Sequence, residues 1–527
     1  MNALPPDRPA GLDDVSLSRR QLLRYSSLAA AAVGGSGLLA ACGGGGGESG
    51  PQQKGGVLVH GATGGSAKDT LDPHRPVQNA DIARASNLYE PLLFWDSDYR
   101  IAPAVAESVT PESDAKTWTI KLRQGVTFHN GKDVTPEDVL FTIRRVANPK
   151  APTSAGGTLS QILDFDQTKK VDDTTIKVVL KQPYAILDYL LAEYTLGVIP
   201  EDFDLKNPVG TGAFKYKSFA PGKNSVFTRY DGYWGDQAFV DELHIQDFAD
   251  PSAQVNALLA GQVQTIDNLP YNLIDSVKSQ GSKVLVSNTG AWVPFTMRVD
   301  VKPFSDNRVR QAMRLIVDRQ QMIDQALSGY GSLGNDLYAP FDPAYAKDLP
   351  QRQQDIDQAK SLLKSAGQDG LTVQLFTGDD IGSVAPATAS LFVEQAKKAG
   401  VTVKKIVKTP FYGDDYLSYP FAQDFWNTRN YIPQAAVCAV KGATYNETHF
   451  DNSKFAGLLQ SASAETDETK RNTLLQDAQK IEYDEGGFII WGFRRQVDGY
   501  SSKVQGLKPS RYLPLGSYKF QNVSLTG

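Results

Sequence analysis

Cysteine is all but absent: the 527 residues hold two, Cys42 and Cys438, with five histidines and four methionines. A disulfide framework is therefore excluded as a source of stability, and thiolate or imidazole metal chemistry has few ligands to draw on. No G-x-S-x-G, H-E-x-x-H or C-x-x-C motif occurs, and Gly131-Lys132 is followed by Asp133 without the upstream glycine of a phosphate loop. None of the sites built by those spacings is announced. Excess positive charge is also missing: 54 Lys+Arg face 59 Asp+Glu, for a net charge of −5. That leaves no basic field for nucleic acid. The apolar stretch at residues 28–41 falls short of the roughly 20 residues a membrane-spanning helix needs.

What is present is an ordinary globular composition, 41% hydrophobic and 21% charged, rich in Tyr (22) and Phe (23). The length predicts two to four domains of roughly 100–200 residues each. Paired Arg19-Arg20 ahead of the apolar stretch reads as a twin-arginine export signal, with a generic positive leader as the alternative. Leu39-Ala40-Ala41-Cys42 resembles the lipobox of bacterial lipoproteins. The expectation is a signal peptide over residues 1–41, a diacylglyceryl anchor on Cys42, and a flexible glycine-rich tether over 42–53. Gly45, Gly47 and Gly50 match a dinucleotide spacing but follow no strand, so they carry no nucleotide reading. Cys438, in an apolar run, reads as an inert core residue.

Past residue 54 strands and helices alternate, which predicts α/β domains. Residues 57–62 and 118–122 read as strands. Thr135 caps a helix over 136–146, with Pro136 at its first position and acids in its first turn. Ser252 is expected to cap a helix through Leu258, and Asp318 the second of two helices over 307–317 and 319–327. Residues 356–366 end at a C′ glycine, Gly367. Residues 371–377 and 401–407 read as strands, 385–399 and 468–483 as helices, and 488–493 as one apolar strand.

Three blocks then fall into a recognisable pattern: Leu88-Tyr89-Glu90-Pro91-Leu92, the run from Trp118 to Gly131, and Val134-Thr135-Pro136-Glu137-Asp138-Val139. It continues through Pro208-Val209-Gly210-Thr211-Gly212-Ala213-Phe214, Tyr233-Trp234-Gly235, and Pro303-Phe304 with Asp306 to Arg319. Over residues 55–515 the chain resembles family 5 extracellular solute-binding proteins, the dipeptide-, oligopeptide- and nickel-binding components of ABC importers. By their own chemistry these residues are mostly structural: glycines for turns, a helix cap, buried aromatics. The resemblance implies an α/β, two-lobed, periplasmic-binding-protein-like clamshell with an extra subdomain inserted in lobe I. It assigns 54–85, 208–288 and 490–527 to lobe I, 86–207 to the insertion and 289–489 to lobe II.

A ligand between lobes needs aromatic walls and a few placed polar groups. The candidates are Tyr271, Trp292, Trp426, Tyr431, Trp491 and Phe493, each with core packing as the alternative. In peptide-binding members of the family a Trp is followed three residues later by an Asp that pairs with the peptide α-amino group. Here Trp426 is followed at that position by Arg429. The charge is reversed, and a guanidinium fork suits a carboxylate or phosphate. The expected solute is small and polar, peptide-like or anionic, zwitterionic or sugar-derived. Two alternatives stand beside this: Arg429 pairs with an internal acid such as Asp424, or Asp424 itself binds an amine. Residues 445–449 read as a capped turn or a cleft edge.

The resulting expectation is a monomeric, lipid-anchored receptor of an ABC importer, with a permease as partner, membrane contact through Cys42 alone, no nucleic acid, no cofactor, no metal and no catalysis. The rivals are a secreted hydrolase and a sensory lipoprotein on the same scaffold.

Overall fold

The computed structural model describes residues 52–148, 150, 153 and 156–526. The leader, Arg19-Arg20, Cys42 and most of the tether lie outside the described residues. Among those described, no helix is long and apolar enough to cross a membrane.

Three sheets of four or more strands organise the described residues. In the first, Val57–Thr63 runs parallel to Glu242–Phe248 on one side and to Thr265–Ile266 on the other. The antiparallel strands Asn224–Arg229 and Phe214–Ala220 extend it at one edge, and Gly492–Tyr500 and Lys283–Trp292 at the other. The second sheet runs in the order Thr402–Val407, Thr372–Thr377, Phe421–Gln423, Phe295–Met297, Phe488–Ile489. The third is antiparallel, built from Ala106–Pro111, Thr117–Leu122, Thr175–Val179 and Lys169–Lys170. Its strand Thr117–Leu122 buries Trp118, Ile120 and Leu122 and leaves Lys121 exposed, the period-2 pattern of a half-covered sheet.

Local chemistry sets the helix boundaries. Thr135 and Asp138 form a reciprocal capping box on Pro136–Val146, the Thr135 N–H donating to the Asp138 carboxylate at 2.9 Å. Asp318 caps Arg319–Ala326 by accepting from the Gln321 N–H at 2.9 Å. Ser252 is not a cap. The helix is Pro251–Leu259, and Asp250 accepts from the Ala253 N–H at 2.7 Å. Proline suits the first helical position, which moves the cap one residue before it. Gly210 and Gly212 are there for close packing: a Cβ on either would stand 2.0 and 2.2 Å from the carbonyl oxygens of Leu88 and Asn87.

The expected single strand over 488–493 is two strands in two sheets. Phe488–Ile489 pairs with Phe295–Met297, whereas Gly492–Tyr500 pairs with Lys283–Trp292. The chain thus crosses between the sheets twice, at 293–294 and 490–491. Trp491 braces the crossings to each other: fully buried, it donates its indole N–H to the Val293 carbonyl at 2.6 Å.

Several histidines are locked neutral. In His129, Nδ1 accepts from the Gly210 N–H at 3.2 Å and Nε2–H donates to the Gly212 carbonyl at 3.0 Å. Burial first, then the Lys215 charge, pushes it down to about 4 despite the Gly212 bond. The unfolded chain therefore takes up this proton near 6.5 and the folded protein only near 4, so the stability His129 contributes is present above 6.5 and is lost as pH falls through that window. Replacing His129 by Gln should give a stability gap to wild type that narrows from pH 7 to pH 4 in urea titrations. A gap independent of pH would contradict the locked tautomer.

Candidate solute-binding pocket

The strand Phe421–Gln423 ends in an irregular segment, residues 424–430, that leads into the helix Tyr431–Cys438. That segment is tied to the first crossing. Trp426 and Trp292 exchange backbone N–H···O bonds, both 2.9 Å. The Thr428 hydroxyl accepts from the Gly290 N–H at 2.9 Å and donates to the Arg511 carbonyl at 3.0 Å. With so many of its polar groups satisfied, the loop holds its side chains in fixed directions.

Beside it lies a pocket of about 220 Å³. Tyr412, Phe425 and Tyr445 rim it and are 37%, 39% and 46% exposed, unusual for large rings. Trp426 forms a wall, stacked on Trp292 at 6.1 Å and met edge-on by Tyr445 at 6.1 Å. Its indole N–H is buried and has no partner among the described residues.

Asp424 lies in the lining and is 3% exposed. Its Oδ1 accepts from the Tyr412 hydroxyl and from the Phe425 N–H, each at 2.7 Å, and its Oδ2 from the Tyr416 hydroxyl. Glu447 stands behind, 3.3 Å from the same Tyr416 hydroxyl. Burial first, and then the charge of Asp424, pushes the Glu447 carboxyl well above the usual carboxylate range. Two buried carboxyls within reach of one Tyr416 hydroxyl disfavour a second negative charge between them. Burial and these acids hold both phenols above their ordinary range, so they remain donors.

Arg429 is exposed at the pocket edge, its guanidinium over the Trp426 ring at 5.6 Å. It forms no hydrogen bond or ion pair among the described residues. The pairing with Asp424 does not form, because Asp424 is taken by the tyrosines. The acid that feels Arg429 is Glu193: burial pushes that carboxyl up, and a bond from the Tyr512 hydroxyl at 2.7 Å and the Arg429 charge offset part of it.

Of the seven aromatic and charged residues expected from the sequence, Trp426 and Arg429 line this pocket, and Trp292 lies directly behind. Tyr431 is fully buried, stacked on Tyr338 at 4.9 Å with its hydroxyl on Glu482. Trp491 is the crossing brace, and Phe493 is core. Tyr271 stacks on Tyr330 at 6.0 Å and donates to the Arg495 carbonyl at 2.8 Å, outside the lining. Sequence reasoning did not select Tyr412, Tyr416 and Phe425. The available signal was the aromatic density of residues 411–419 next to an acid-flanked Trp. In residues 445–449 Tyr445 faces the pocket, while the Asn446 side chain accepts from the Phe450 N–H at 3.1 Å and so organises the turn.

Two α/β lobes joined by a double crossing, with a polar and aromatic pocket at its edge, define a periplasmic-binding-protein fold. The family model described as bacterial extracellular solute-binding proteins, family 5 Middle, matches residues 100–446, and the chain belongs to that family. It is 27% identical to the dipeptide-binding protein of Escherichia coli K12 over 466 residues, 81% of this chain and 86% of the relative. The solved structure of the substrate-binding protein CtaP from Listeria monocytogenes is similar with a TM-score of 0.81, 21% identity, and coverage of 90% of this chain and 100% of that one. DppA from Helicobacter pylori, in complex with the peptide STSA, gives 0.74 and 23%, covering 90% of this chain and 99% of that one.

Two substitutions separate pocket from scaffold. Arg429→Ala removes an exposed side chain that forms no hydrogen bond or ion pair among the described residues and should change unfolding free energy by no more than about 0.5 kcal/mol. Trp491→Phe strands the Val293 carbonyl and leaves a void, and should cost about 2–4 kcal/mol. Urea melts of the ligand-free proteins measure both; a large loss in Arg429→Ala would reveal an internal partner.

Proposed function

We propose that the chain is the lipid-anchored receptor of an ABC importer, a monomer that captures a small polar solute beside Trp426 and delivers it to a permease. The observation that carries this reading is the pocket itself: it sits against the double crossing, and its one exposed arginine is uncommitted. The dipeptide-binding relative and the peptide-bound neighbour support a solute of amino-acid or peptide size. Arg429 in place of an ammonium-binding acid argues for a carboxylate or phosphate at that end. On this reading lobe I comprises 54–85, 208–288 and 490–527, the inserted subdomain 86–207, and lobe II 289–489. Membrane attachment runs through lipid on Cys42 after removal of residues 1–41. The chain is a carrier and not a catalyst.

Contacts that would open and close also support it. The Ala185 N–H donates to the Ser463 carbonyl at 2.6 Å, and the Tyr99 hydroxyl reaches the Thr428 carbonyl at 3.5 Å. Both join the proposed insertion to lobe II. Mass spectrometry of small molecules released from the purified protein identifies the solute. Adding that solute back should raise the melting temperature by mass action and lower the radius of gyration in X-ray scattering. A rise in melting temperature without compaction counts against hinge closure. Cys42→Ala should release the protein from membranes; retention of the processed variant there would overturn the anchor.

A further inference from the structure

The pocket is lined by a buried carboxyl group, Asp424, with which no cation among the described residues pairs. Asp424 and Glu447 are 3% and 5% exposed, and neither forms an ion pair among the described residues. All the donors on Asp424 are neutral: two phenols and one backbone N–H. A buried charge satisfied by neutral donors alone remains costly, and a counter-charge supplied by a ligand relieves that cost. The walls around it are π faces and edges, from Trp426, Tyr412, Phe425 and Tyr445.

We propose that this pocket is a cage for an alkylated ammonium group, which enters between Trp426, Tyr445 and Phe425 to face Asp424, so that the solute is a zwitterion with its anionic end on Arg429. The anionic half rests on the reading of Arg429 given above; the cationic half stands on the cage alone. Alkylated nitrogen is favoured over a bare ammonium for a stated reason. Oδ1 of Asp424 already accepts two hydrogen bonds and Oδ2 one, so three N–H donors would find too few acceptors. A trimethylammonium needs none and is held by charge and by the aromatic faces. Its carboxylate can then reach the exposed guanidinium beside Trp426.

Calorimetric titration with three probes tests this: glycine betaine, its uncharged-head isostere 3,3-dimethylbutyrate, and choline. Betaine should bind, with 3,3-dimethylbutyrate weaker by roughly tenfold or more. Tyr445→Ala, at the exposed rim, and the isosteric Asp424→Asn should each weaken betaine and choline by roughly tenfold. Arg429→Ala should weaken betaine and leave choline unchanged. The cage is overturned if 3,3-dimethylbutyrate binds as well as betaine, if Tyr445→Ala and Asp424→Asn leave cation binding unchanged, or if neither betaine nor choline binds. Choline binding as well as betaine, with both sensitive to Tyr445→Ala, upholds the cage and removes the anionic role of Arg429. Binding of 3,3-dimethylbutyrate as tight as that of betaine, abolished by Arg429→Ala, removes the cage and keeps the anionic role of Arg429.

Discussion

The hydrogen bond from the Trp491 indole to the Val293 carbonyl, 2.6 Å in a fully buried site, fixes the two sheet crossings against each other. Everything on either side inherits its direction from that pair. Lys283–Trp292 and Gly492–Tyr500 leave the crossings as antiparallel neighbours in one sheet, and Phe295–Met297 and Phe488–Ile489 do so in the other. The second crossing is held further by buried charge. Asp336 accepts from the Ile490 N–H at 3.0 Å and pairs with Arg319 at 2.7 Å and Arg352 at 2.5 Å. Arg314 donates to the carbonyls of Phe488, Tyr483 and Gly486. A guanidinium there satisfies carbonyls at the end of the helix Glu468–Glu485 that would otherwise be buried and unpaired. Burial pushes Arg314 down to about 9, still charged near neutrality.

The sequence blocks that carry the family resemblance have structural jobs in this frame. Arg310, Arg314 and Arg319 anchor the helix end and the crossing. Thr135 and Asp138 start a helix. Gly210 and Gly212 let the chain pass against the backbone of residues 87–88. Family membership follows from residues that hold the frame, whereas the pocket is lined by a separate set on the loop at 424–430, the segment at 411–418 and Tyr445. The two sets meet at Trp426, bound by backbone to the frame and by side chain to the pocket.

That division explains what the sequence could show. Strand alternation, capping Thr and Asp residues and C′ glycines are local signals, and most of the elements read from them lie within two residues of the observed bounds. The apolar run at 488–493 misled because hydrophobicity alone cannot mark where a strand changes sheets; the cause lies in partners nearly two hundred residues away. Trp426 and Arg429 were legible as a pair because a motif position carried the wrong charge. Tyr431, Trp491 and Phe493 were drawn in by ring type, yet packing decides whether a ring faces ligand or core. The contribution of Tyr412 and Tyr416 was not legible, since it depends on an acid held by partners 12 and 8 residues away through loop geometry.

The distribution of charge gives the loop its character. Asp424 and Glu447 are buried and held by tyrosine hydroxyls. Arg429 lies at the outer edge over the same ring and feels Glu193 from across the gap. On the cage reading proposed above, a solute carrying both charges meets a partner for each: the buried Asp424 and the exposed Arg429. The loop that carries both residues is bonded to Gly290 and Trp292 at the first crossing, and its Thr428 carbonyl is reached by the Tyr99 hydroxyl. The pocket thereby stands against the seam where the two larger sheets meet.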